Sequence, residues 1–169
     1  MLEVRDAVGA DAMGVAEVHI RSWQQGYRGL LPDSYLDGLR PEERAAQYSF
    51  DDASGTVPQT LVAVLDGAIR GFAAVGLARE GDTVGLGELF ALYVDPGYWR
   101  LGVGRLLIGH ARRRLASRGS TEAVLWLLVG NERAAAFYAA DGWATDGVAR
   151  KDEVWGVTVD ELRHRRALP

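Results

Sequence analysis

Apolar residues in the early part of the chain recur at helical spacing. Met13, Val15, Ala16, Ile20 and Trp23 follow a 3.6-residue repeat, which predicts a helix over Asp11 to Gln24 after a short first strand from Leu2 to Arg5. Tyr27-Arg28-Gly29-Leu30-Leu31-Pro32 ends that pattern. Pro41-Glu42-Glu43-Arg44 predicts another short helix, with proline at an early position and acids in the first turn. From Thr60 the period changes. Thr60 to Leu65 and Ala68 to Leu77 read as strands joined by Asp66-Gly67, a two-residue turn whose tight form needs left-handed backbone.

Leu89 to Val94 is a continuous apolar run, the pattern of a strand covered on both faces, and Asp95-Pro96-Gly97 stops it. In the following helix Leu107, Ile108, Ala111 and Leu115 form a stripe, with Arg105 and Arg112 on another side. Val124 to Val129 repeats the buried-strand pattern. Asn131 opens a further helix that Gly142-Trp143 closes, and Thr158 to His164 reads as a last strand. Strand, helix, strand, helix predicts a parallel pair joined by a right-handed crossover inside a mixed sheet. The expected fold class is therefore α/β, as one domain over residues 1–169.

Composition narrows the setting. With 48% apolar and 25% charged residues the chain falls in the globular range, and no run approaches the roughly eighteen apolar residues that a membrane span needs. Met1-Leu2-Glu3-Val4-Arg5-Asp6 does not look like a secretory leader, and there is no cysteine, so a cytoplasmic protein is expected. A net charge of −4 argues against a nucleic-acid partner. The histidines, His19, His110 and His164, show no ligand spacing, so no metal is expected. Arg112-Arg113-Arg114 reads as a solvated helix face, and Trp126 as core or a subunit contact.

The segment Val94-Asp95-Pro96-Gly97-Tyr98-Trp99-Arg100-Leu101-Gly102-Val103-Gly104-Arg105 joins a strand to an amphipathic helix. Such a junction aims several backbone N–H groups and the positive end of the helix dipole at one point, which suits a diphosphate. Gly102 and Gly104 let that backbone approach a ligand, and Arg100 and Arg105 supply charge. A plainer reading is that the glycines only relieve crowding. The third glycine of a dinucleotide fingerprint and the Gly-Lys-Ser/Thr of a P-loop are both missing.

Trp99-Arg100-Leu101-Gly102-Val103-Gly104 resembles the signature Gln/Arg-x-x-Gly-x-Gly/Ala of the GNAT N-acetyltransferase family, with Trp99 where Gln or Arg is commonest. Leu92-Tyr93-Val94-Asp95-Pro96 is similar to that family's preceding strand end, and Asn131 with Phe137-Tyr138 and Gly142-Trp143 to its next helix. The resemblance implies a mostly antiparallel sheet with a central parallel pair, flanked by helices. It also implies acetyl-CoA as acyl donor, its pantetheine arm beside Leu92, Tyr93 and Val94, and its diphosphate at Arg100, Leu101, Gly102, Val103, Gly104 and Arg105, with Asn131 nearby.

On that reading Tyr138 is the candidate acid, because a phenol of pKa about 10 protonates a departing thiolate of pKa about 8.5 with a small uphill step. Its plainer role is packing beside Phe137. Glu88 is the candidate base, acting directly or through water, provided burial beside Leu89 and Phe90 lifts its proton affinity; its plainer reading is a solvated acid at a strand end. His19, Trp23 and Tyr27 share a helix side at spacings of four, so Trp23 and Tyr27 are expected either to wall the acceptor site or to form a core stripe. The acceptor is a small-molecule or peptide amine. The ending Asp160 to Arg166 resembles a last strand at an edge or in a homodimer surface. A coenzyme-binding sensor without catalysis is the rival reading, and an RNA-associated protein a more distant one.

Overall fold

In the computed structural model, which describes residues 1–169 except 53, 55 and 56, the chain runs β1 (Leu2–Asp6), α1 (Ala12–Gly26), α2 (Asp33–Asp37), α3 (Pro41–Ala45), β2 (Gln59–Leu65), β3 (Ala68–Leu77), β4 (Gly87–Val94), α4 (Val103–Ser117), β5 (Glu122–Leu128), α5 (Glu132–Ala140), β6 (Ala144–Val154) and β7 (Val157–Ala167). The fold is mixed α/β. Two units emerge: Met1–Gly76 with Leu89–Arg114, and Leu77–Glu88 with Leu115–Pro169.

In the first unit β1, β2 and β3 are antiparallel neighbours, in register from Leu2↔Leu65 and from Leu65↔Ala68. The Asp66-Gly67 turn has φ of 53° and 78° at its two residues, the left-handed pair that the sequence predicts. Val15 and Val18 of α1 pack with Ala7, Val62, Val64 and Phe72. Burying an aliphatic side chain of this size contributes about 1.5–3 kcal/mol. The α4 stripe is buried at Leu107, Ile108 and Ala111. A Cβ at Gly71 of β3 would stand 2.8 Å from Leu107 Cδ1 and 3.0 Å from the Tyr93 carbonyl oxygen. Helix α4 thus seats closely on β3 because residue 71 has no side chain.

Strand β4 departs from the expectation of cover on both faces. Leu89 and Val94 are buried, but Phe90 is 40% exposed and Ala91 to Tyr93 are half-buried. The Phe90 ring rests where a side chain at Gly76 would otherwise stand, 3.2 Å from Phe90 Cε2. Its apolar surface serves a half-open face. Arg114 is not simply solvated either: it donates to Asp6 at 2.7 Å and to Gln59 at 2.8 Å.

In the second unit β4 begins parallel to β5 through Gly87↔Ala123 and Glu88↔Val124, the parallel pair that the alternation of elements predicts. Strand β7 pairs antiparallel with both β5 and β6, giving the order β5-β7-β6. Strand β6 was not anticipated, and β7, expected at an edge or in a homodimer surface, lies between β5 and β6 and is not the edge strand. Residues 144–149 of β6 are exposed and its register shifts between Thr145 and Ala149, around Gly147 at φ 82°, so no alternation survives to mark it as a strand. Among the described residues no helix is long and apolar enough to cross a membrane.

Candidate functional site

The first unit holds the glycine turn. Strand β4 ends at Val94, and Asp95 accepts from the Gly97 N–H at 3.4 Å to cap a single tight turn over residues 96–98. Arg100 has φ 65° and Gly102 φ 87°. The first intrahelical bond of α4 runs from the Leu106 N–H to the Gly102 carbonyl at 3.0 Å, so the N–H groups of Gly102, Val103, Gly104 and Arg105 have no acceptor within the helix. Arg100, Leu101 and Arg105 are exposed around them, and Val103 is buried under the turn. The glycine at 102 is demanded by its left-handed backbone, since an added Cβ would meet nothing within 4 Å. Main-chain donors with flanking guanidinium groups are an arrangement that suits an anion such as a diphosphate.

Sequence reading did not foresee what steadies this turn. Asp95 is 8% exposed, and its carboxylate pairs with Arg21 of α1 at 2.9 Å and lies 4.0 Å from Arg70 of β3. Its N–H donates to the Arg70 carbonyl at 2.8 Å, and the Arg70 guanidinium lies 4.3 Å from the centre of the Tyr98 ring. An Asp-Pro pair reads only as a strand stop. The arginines that make it an anchor lie far away in sequence.

An aromatic cluster from the same unit includes Trp23, Tyr27 and Tyr93. Trp23 is 3% exposed, edge-on to Tyr27 at 5.0 Å and to His19 at 5.4 Å. The His19 ring stacks on Tyr93 at 4.9 Å and its Nδ1 is 2.9 Å from the Tyr48 hydroxyl. Burial holds the His19 imidazole well below its usual pKa, so it is neutral. Trp23 is therefore core, whereas Tyr27 is half-buried with its hydroxyl 3.4 Å from that of Tyr93.

The second unit holds Glu88. Counting by twos along β5 puts Val124, Trp126 and Leu128 on one face, and the register places beside them Glu88 of β4, Arg163 and Glu161 of β7 and Arg150 of β6. The Arg150 guanidinium lies 4.0 Å from the Trp126 ring centre and bonds Glu161 at 3.0 Å and Asp152 at 3.2 Å. Arg163 forks onto Asp82 at 2.6 and 3.2 Å and reaches Asp146 at 2.7 Å. Burial pushes the Glu88 carboxyl up to about 7; Arg150 opposes the rise, while Glu80, Glu161 and Asp152 reinforce it. A carboxyl in that range exchanges a proton readily near neutral pH. Trp126, expected as core or a subunit contact, is half-buried, with the Arg150 and Arg163 guanidinium groups 4.0 and 5.8 Å from its ring centre.

Helix α5 carries the other two sequence candidates in this unit. Asn131 is its N-cap, the side chain accepting from the Ala134 N–H at 3.3 Å. The helix closes with the Trp143 N–H on the Tyr138 carbonyl and the Gly142 N–H on the Ala139 carbonyl, both at 3.0 Å, around Gly142 at φ 90°. Tyr138 is buried, edge-on to Phe137 at 5.2 Å and to Trp143 at 6.3 Å. Among the described residues no group of His, Cys, Asp and Glu is arranged to hold a metal ion.

Residues 19–143 match the model of the acetyltransferase (GNAT) family. The uncharacterized N-acetyltransferase YuaI of Bacillus subtilis (strain 168) is 30% identical over 166 residues, covering 96% of this chain and 91% of the relative. A spermidine N(1)-acetyltransferase of Thermoplasma acidophilum is 23% identical over 149 residues, covering 86% and 92%. The crystal structure of the PaiA N-acetyltransferase from Thermoplasma acidophilum in complex with coenzyme A superposes with a TM-score of 0.76 at 20% identity, covering 99% of both chains, a likeness of fold.

Proposed function

This chain belongs to the GNAT acetyltransferase family, and from that premise we propose that it transfers the acetyl group of acetyl-CoA to a primary amine by direct attack in a ternary complex. The coenzyme's diphosphate takes the main-chain donors from Gly102 to Arg105, flanked by Arg100 and Leu101, its pantetheine arm pairs with Leu92 to Val94, and Asn131 is a further coenzyme-binding residue. An ammonium acceptor of pKa about 10.4 must lose a proton before it attacks, which costs roughly 4–5 kcal/mol at pH 7. Glu88 takes that proton. The nitrogen then bonds to the acetyl carbon, the oxyanion is met by N–H groups of the Leu92 to Val94 strand, and the carbon–sulfur bond breaks. Tyr138 donates its proton to the departing thiolate and recovers one from water, while the nitrogen sheds its second proton to solvent.

The observation that carries this reading is the half-buried Glu88 carboxyl, pushed up to about 7. Tyr27 and Tyr93 border the acceptor, and Trp23 backs them.

Thiol release from acetyl-CoA tests the reading, measured against small amines including spermidine, lysine peptides and peptides with free N-termini. Turnover with at least one acceptor is expected. Tyr138→Phe should lower kcat about 100-fold, within the range for loss of a general acid, and leave coenzyme binding unchanged. Coenzyme binding without thiol release on any acceptor would instead establish the sensor.

A further inference from the structure

Trp99 stands where the family signature commonly carries Gln or Arg, and its side chain turns back on the protein. The indole Nε1–H donates to the Val94 carbonyl oxygen at 2.8 Å, closing a loop from the last residue of β4 to the start of the glycine turn. Within that loop the Tyr98 N–H bonds the Asp95 carbonyl at 2.8 Å and the Trp99 N–H the Pro96 carbonyl at 3.3 Å. The next residue, Arg100, has φ 65°. A side chain larger than glycine holds that left-handed backbone only where its surroundings impose it. Asp95, tied to Arg21, fixes one end of the segment; Trp99 fixes the other, directly before the strained residue.

We infer that Trp99 is a positioning residue for the coenzyme: its indole clasp on Val94 holds Arg100 in left-handed backbone and so aims the main-chain donors of Gly102 to Arg105. The inference rests on the coenzyme site proposed above. It assigns to this chain a main-chain clasp at a position where the family more often carries a different side chain. Without the clasp the turn samples other backbone states, and the coenzyme must select the competent one, which lowers its apparent affinity while leaving the chemistry untouched.

The test compares the parent, Trp99→Phe, which keeps an aromatic ring but removes the donor, and Trp99→Gln, which restores a side-chain N–H. Titration calorimetry with CoA and steady-state kinetics are the readouts. For Trp99→Phe, KM for acetyl-CoA and the CoA Kd should rise about fivefold, the worth of one neutral hydrogen bond, or about 1 kcal/mol at 1.4 kcal/mol per tenfold. Acceptor KM and kcat at saturating donor should stay within twofold, and Trp99→Gln should recover most of the affinity. Hydrogen exchange of the Trp99 indole in the parent, followed by NMR, is the second measurement and needs no variant. Slow exchange supports the clasp, and exchange as fast as that of a solvated indole overturns it. An unchanged CoA Kd in Trp99→Phe, or a parallel fall in kcat and rise in acceptor KM, also overturns it. A parent that binds no CoA overturns the coenzyme site itself, a failure distinct from loss of the clasp alone.

Discussion

Replacing Glu88 by glutamine should stabilise the protein above neutral pH and abolish most of its activity. The carboxyl titrates normally near 4.5 and is pushed up to about 7 in the fold. At 1.36 kcal/mol per unit the native state therefore disfavours the carboxylate by about 3 kcal/mol; solvent reaches this half-buried group, and screening trims the figure to about 2 kcal/mol. The sign follows from proton counts. Between about 4.5 and 7 the native state binds more protons at Glu88 than the unfolded chain, so stability from this group falls as pH rises through that window, and the whole penalty is present above it. Glutamine is neutral and nearly isosteric, so denaturant unfolding should show Glu88→Gln more stable by about 2 kcal/mol at pH 8.5 and equal to the parent at pH 4. In the same variant kcat/KM should drop about 100-fold, the loss expected of a general base, and the parent's kcat/KM should climb with pH to a plateau with an apparent pKa near 7. A climb centred near 4.5, or a glutamine variant equally stable at both pH values, would refute the argument.

Arg150 favours the Glu88 carboxylate, so Arg150→Met should move the rising limb of kcat/KM to higher pH and Arg150→Lys should move it less; identical profiles would show that burial alone sets the base. Gly102→Ala meets no neighbouring atom, yet the residue stands at φ 87°, so the substitution should cost about 1–2 kcal/mol, seen as a fall in Tm of roughly 2–8 °C, with a raised KM for acetyl-CoA.

What the sequence discloses is local. The Asp66-Gly67 turn, the Asn131 cap and the Gly142 helix stop each rest on a few adjacent residues, and each is found where the pattern places it. The α4 stripe and the parallel start of β4 and β5 follow from period and order of elements. Strand β6 does not, because Arg150, Lys151, Asp152 and Glu153 look like solvated surface until β7 pairs with them. The anchors are hidden for the same reason. Asp95 meets Arg21 and Arg70, and Arg114 meets Asp6 and Gln59, across separations that no local pattern records.

Glu88 shows what that distance does to functional reading. Its residue type and its apolar neighbours Leu89 and Phe90 are enough to nominate it, but its proton affinity depends on which charges the fold gathers around it. Those charges come from the loop before β4 and from β6 and β7: Glu80, Asp152 and Glu161 on one side of the balance, Arg150 on the other. Arg150 is itself engaged by Glu161 and Asp152 and lies over Trp126, so much of its field is spent on partners other than Glu88. Three carboxylates against one shared guanidinium leave no excess of positive charge to stabilise an ionised Glu88, and burial decides the outcome. The same arithmetic bears on the acceptor. On the proposed role of Glu88, with Arg163 on the same face held by Asp82 and Asp146, the surplus of carboxylates favours an ammonium group over an amine that carries carboxylates of its own, so acidic acceptors should be the poorest members of any panel.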